Sequence, residues 1–189
     1  MTATTFDPVP LSTQPTLAVA AGRNLIAAGS IFAAANLFQW GVMSGVLHLH
    51  PATLSLSWPV AVVAFLIILR RLRGLGGEAA IRAASWSRWA ILAQIAAALS
   101  LAIASVLLKN WALMMWMSPI GLALYGLAFL VAAVRGGPKW LAGVALGAFI
   151  AAGGVALLIG TPQQYLAYAC GLVAFALIPG LALTFGRAR

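Results

Sequence analysis

The residues best suited to chemistry stand at the end of the first apolar stretch, in QWGVMSGVLHLHP (39–51). His48 and His50 are the only histidines of the chain. Three roles are open to them: ligands of a metal or haem, the base of a Ser44–His48 dyad, and a pH sensor that gains charge near the unperturbed histidine pKa of about 6.5. Zinc usually takes three or four ligands, and a buried haem needs axial ligands facing the bundle interior. His48 and His50 are two residues apart, so on a helix they point to nearly opposite sides. The two acids of the chain, Asp7 and Glu78, fall on the other side of the membrane in the topology derived below, and Cys170 lies inside an apolar run. Ser44 and His48 do share a helix face by their spacing, yet no acid orients the base and no oxyanion hole accompanies the serine. The sequence thus predicts no metal, no cofactor and no catalytic residue. His48 and His50 remain metal or pH-sensing candidates at the water-facing end of a helix.

Amides inside apolar segments are more informative, because an amide in lipid is costly without a partner. Asn36 and Gln39 are three residues apart on the first helix, on roughly one face, and Gln94 stands early in the third. Interhelical hydrogen bonding is the plainer role for this trio, and a polar pocket or pathway is the sharper one. Ser100, Ser105, Ser118 and Thr184 can bond back to their own helices. No membrane-embedded acid or base is found, although ion-coupled carriers rely on such groups. No P-loop, dinucleotide fingerprint or metal-ligand spacing occurs either.

The elements that position these residues follow from composition. Of 189 residues, 63% are hydrophobic and 7% charged, with a mean hydropathy of +1.04. A soluble domain carries about 25% charged residues, so this chain lacks the polar surface for water and reads as an all-α polytopic membrane protein. A span of about 30 Å of hydrocarbon takes roughly 20 apolar residues. Six segments qualify, about 24–47, 55–71, 89–108, 111–134, 140–160 and 164–186, the second reaching full length only if Arg70 and Arg71 snorkel. Residues 1–22, with Pro8, Pro10 and Pro15, read as a disordered polar cytoplasmic tail, and 23–189 as the six-helix bundle.

The net charge of +9 would raise nucleic-acid binding in a soluble protein. Here the basic residues lie between apolar runs and act as topology signals. Arg23, the cluster Arg70, Arg71, Arg73, Arg82 and Arg88, the pair Arg135 and Lys139, and the terminal Arg187 and Arg189 all fall on one side of a six-span path, with only Lys109 opposite. The positive-inside rule puts both termini in the cytoplasm. Short external turns, HLHPATL, KN and GTPQ, predict three antiparallel hairpins. Between the second and third spans, GLGGEAAIRAASWSRW (74–89) is the one sizeable internal loop, read either as a short interfacial helix or as a linker.

Helix packing has its own signatures. Gly41 and Gly45 form a GxxxG pattern, and Gly143, Gly147 and Ala151 form a small-residue stripe; both predict close helix approach. Pro119 and Pro179 are candidate kinks in the fourth and sixth spans. The nine arginines against two lysines, with abundant Ala and Gly, suggest a GC-rich bacterial genome and the cytoplasmic (inner) membrane. The expectation is an accessory, interaction or sensor protein without catalytic machinery. Its partners would be membrane lipids and other membrane subunits or further copies of itself, with no nucleic acid. A transporter or pore for a neutral or hydrophobic small molecule is the alternative, and a membrane enzyme or haem- or metal-binding subunit comes third.

Overall fold

The computed structural model describes residues 16–74 and 77–186, which are helical almost throughout, with no strand among them. The tail up to Pro15, including Asp7, and Arg187 and Arg189 lie outside the described residues. Six helices make up the fold: α1 Leu17–Met43, α2 Leu54–Gly74, α3 Gly77–Leu107, α4 Met117–Val134, α5 Trp140–Ala156 and α6 Gln163–Phe185. A short 3-10 turn, Pro51–Thr53, leads into α2, and a longer one, Trp111–Trp116, leads into α4. By length and composition α1, α2, α3, α6 and the continuous stretch Trp111–Val134 are apolar enough to cross a membrane, while α5, at 17 residues, is shorter. These are the features of a membrane-embedded helical bundle.

Helix ends differ from the hydropathy limits because caps, not hydropathy, stop a helix. Thr16 accepts the Val19 N–H on its hydroxyl at 3.3 Å, so α1 starts seven residues before Asn24, inside the stretch expected to be tail. At its other end Gly45 adopts φ +78° and the Leu47 N–H returns to the Gly41 carbonyl at 2.8 Å. A left-handed turn suits glycine and closes the helix at Met43 rather than Leu47. The loop expected over 74–89 is mostly helix: α3 starts at Gly77 and runs unbroken for 31 residues. At 1.5 Å per residue α3 is roughly 46 Å long, well beyond the ~30 Å hydrocarbon layer, so one end must reach headgroup depth.

α1 is the central helix, packed against α2, α3 and α6, while α4 lies chiefly along α5 and also meets α3 and α6. Lipid tails are as apolar as leucine, so close van der Waals fit has to hold such helices together. The α1–α6 seam meets that need with backbone contact. A Cβ on Gly22 would stand 2.7 Å from the Gly180 carbonyl oxygen, one on Gly180 2.8 Å from the Ile26 nitrogen, and one on Gly29 2.7 Å from the Leu177 nitrogen. Across α4 and α5, Gly126 leaves room for the Phe149 ring. The largest core cluster joins Ala33 of α1, Leu122 of α4, Ala152 and Val155 of α5, and Tyr168 and Leu172 of α6.

The packing residues expected from sequence are distributed otherwise. Gly41 does not receive another helix: a Cβ there would meet the Leu47 side chain at 2.8 Å, folded back from the following turn. Gly45 lies outside the helix with nothing within 4 Å, so the GxxxG pattern marks a helix end in this chain. Gly147 does take a neighbour, the Phe175 ring of α6, and Ala151 borders the main core, whereas Gly143 faces open space. Pro119 stands three residues into α4, where the 3-10 turn gives way to α-helix, so it marks a change of helix type near a terminus rather than a bend within an α-helix. Just before Pro179, residues Val173–Leu177 form a π turn, with the Ile178 N–H bonded to the Val173 carbonyl. A proline cannot donate to the carbonyl four residues back and crowds it, and a widened turn relieves that conflict.

Candidate functional site: the buried amides

Inside an apolar bundle the side chains able to recognise anything polar are the amides and hydroxyls. Asn36, Gln39, Gln164, Ser105, Ser118 and Asn24 are all buried. Asn36, fully enclosed, donates from Nδ2 to the Phe32 carbonyl of its own helix at 2.8 Å, and its Oδ1 accepts no hydrogen bond. Gln39 reaches across to α2, where its Nε2 donates to Ser57 Oγ at 2.8 Å, and Ser57 in turn donates to the Leu54 carbonyl at 2.8 Å. The Gln39 Oε1 is likewise buried without a donor. Two carbonyl oxygens on α1, three residues apart, are therefore acceptors with no donor among the described residues.

Gln94 has neighbours of its own. Its Nε2 lies beside Gly121 of α4, where the Tyr168 hydroxyl of α6 also arrives; a Cβ at Gly121 would stand 3.3 Å from the Gln94 nitrogen. Gly121 thus makes space for two polar groups from two other helices. The three amides expected to form one pocket meet different neighbours: Asn36 its own backbone, Gln39 the hydroxyl of α2, and Gln94 the α4–α6 contact.

Gln164 was not singled out by the sequence, since it sits at the polar start of its helix. It is 1% exposed, donates from Nε2 to the Met115 carbonyl in the 3-10 turn before α4, and accepts the Gly160 N–H at 3.4 Å. One side chain therefore ties together three backbone segments. Ser57 and Tyr168 were missed for another reason: they acquire importance only through helix register, which the sequence does not display.

His48 and His50 are exposed, as is every residue from Met43 to His50. His50 organises the turn into α2: its Nδ1 accepts the Ala52 N–H at 3.2 Å, and its carbonyl accepts from the Thr53 N–H and hydroxyl at 2.9 and 2.8 Å. Ser44 lies just past the end of α1 and donates to the Gly41 carbonyl at 3.4 Å, so the helical spacing that would align it with His48 does not apply. Among the described residues no group of three or more His, Cys, Asp or Glu is placed to hold a metal ion.

The Phe32 ring stacks on Trp58 with centroids 5.5 Å apart and contacts Phe65 at the same distance, closing the α1–α2 seam one turn from Asn36. Fold and site together define an all-helical bundle with apolar helices long enough to cross a membrane and a few buried amides, each with a different hydrogen-bond partner. No protein family, curated protein or solved structure matches the chain.

Proposed function

We propose that the chain is a six-span protein of the bacterial cytoplasmic membrane, with both termini inside and its helices paired as three hairpins, that acts as a non-catalytic accessory or interaction subunit. The observation that carries this reading is the separate use of the buried polar groups. Gln39 and Gln164 hold one segment to another and Asn36 bonds its own helix. Groups used in this way favour assembly of a scaffold over passage of a solute. The outer face of α5 is where a partner helix would approach: Gly143, Ile150, Gly154 and Leu157 fall on one side by helical spacing, Ile150 and Leu157 are exposed, and none of the described residues comes within 4 Å of a Cβ on either glycine. A photo-crosslinking amino acid at Ile150 is expected to capture protein in native membranes, with the same group at the buried Leu122 as internal control. Adducts with lipid alone from Ile150 would contradict the reading.

A transporter or pore for a small neutral solute is the second reading, favoured by the unbonded Asn36 Oδ1 and Gln39 Oε1, which could accept from a hydroxyl- or amide-bearing molecule. Glycerol and urea permeability of proteoliposomes separates the two. Flux above protein-free vesicles that is lost in the N36L/Q39L variant supports a pathway, and flux equal to protein-free vesicles dismisses it for these solutes.

A further inference from the structure

Near the end of α2 and the start of α3 a cavity of about 380 Å³ lies between the two helices. Its lining is amphiphilic: Arg70, Arg73 and Arg88 are its three basic residues, and Leu66, Leu69, Ile91 and Leu92 form the rest. The spacing explains the convergence. Leu66, Leu69, Arg70 and Arg73 follow one face of α2 at helical intervals, and Arg88 and Leu92 follow one face of α3 in the same way. Leu69, only 5% exposed, belongs to the α1–α2 core with Phe65 and forms the apolar floor, while Leu66 and Leu92 stay open on the outside.

Three like charges around one small cavity repel one another unless an anion joins them. None of the three has a carboxylate partner among the described residues, where Glu78 is the single acid. Glu78 precedes Arg88 on α3 by ten residues, roughly 15 Å along the axis. Guanidinium forks match phosphate oxygens in pairs, and basic pockets between membrane helices at headgroup depth suit phospholipid headgroups. A free phosphate would use the arginines alone and leave the leucine wall without purpose.

We propose that this cavity binds one anionic phospholipid, with Arg70, Arg73 and Arg88 on its phosphate and an acyl chain along Leu66, Leu69 and Leu92. The inference rests on the membrane placement of α2 and α3 and on nothing in the accessory-subunit reading. It identifies a headgroup phosphate not neutralised by a cation of the same lipid as the recognised group, and a lipid as its source.

The test is native mass spectrometry of the full chain in detergent, titrated with dioleoylphosphatidylglycerol or dioleoylphosphatidylcholine, which share acyl chains and differ in net charge. Basic residues near a membrane surface each strengthen anionic-lipid attraction on the order of five-fold, so the unaltered protein is expected to prefer phosphatidylglycerol by roughly a hundredfold. The R70Q/R73Q/R88Q variant should fall to the phosphatidylcholine level, R70K/R73K/R88K should keep most of the preference, and R71Q, whose side chain is outside the cavity, should be unchanged. Equal retention of the two lipids by the unaltered protein would overturn the proposal without recourse to any variant. So would a triple glutamine variant that keeps its preference, an R71Q loss as large as that of the triple glutamine variant, or displacement of phosphatidylglycerol by inorganic phosphate.

Discussion

Gly29 and Gly143 are both helical glycines in apolar surroundings, yet their substitution has opposite expected effects. A Cβ on Gly29 meets the Leu177 backbone at 2.7 Å, and backbone cannot rotate aside. Gly29→Ala should cost about 1–3 kcal/mol, the usual range for overpacking. A Cβ at Gly143 meets nothing within 4 Å, so Gly143→Ala should hold or raise the stability of the isolated chain by up to about 1 kcal/mol through helix propensity. Denaturant unfolding in micelles checks both, and equal costs would mean that the α1–α6 seam is not as close as described. The amides separate in the same measurement. Gln39→Leu leaves Ser57 bonded to its own Leu54 carbonyl and should cost less than about 1 kcal/mol, in line with membrane hydrogen bonds generally. Gln164→Leu strands the Met115 carbonyl and should cost about 1–3 kcal/mol. Asn36 and Gln39 were legible in the sequence as amides in apolar surroundings, and both are buried. Their partners were not legible, because Ser57 faces Gln39 only once the register of α1 on α2 is set.

At the scale of elements, hydropathy located the apolar middle of each helix and misplaced the ends. α1 extends back to Leu17 on a threonine cap, and α3 continues through what reads as a loop because Glu78 to Arg88 carries good helix formers, alanine and arginine among them. The GxxxG pattern of Gly41 and Gly45 resembles that of a packing seam, but a glycine near the end of an apolar run can equally close the helix. The closest approaches of the α1–α6 seam, Gly22 on Gly180 and Gly29 on Leu177, follow no such pattern, and starting the first span at Asn24 left Gly22 outside it. The long α3 carries its own prediction. In a C170A background, single cysteines at Glu78, Arg82, Leu99 and Ile103 should divide by depth. The first two should react with a membrane-impermeant maleimide and the last two should not. Reaction at Leu99 would place the wrong part of α3 in the bilayer.

For the whole molecule, composition alone led to the all-helical, membrane-compatible bundle, since a chain that is 7% charged cannot cover itself in water. Which helix lies at the centre was not legible. Burial of α1 among α2, α3 and α6 depends on small residues at particular depths, and every helix in the chain is apolar enough to have taken that place. The proposed topology has a direct check: reporter fusions after Leu49 and Gln163 are expected to lie in the periplasm, and fusions after Gly77 and Gly137 in the cytoplasm. The inverse pattern would overturn the orientation drawn from the arginines. The central claim, that this bundle works through other proteins on its outer faces, is tested most directly by its mass when excised from native membranes in polymer nanodiscs. The account predicts a particle holding more protein than a single 19.5 kDa chain, with a second copy or a distinct subunit present in fixed ratio. One chain surrounded only by lipid would contradict it.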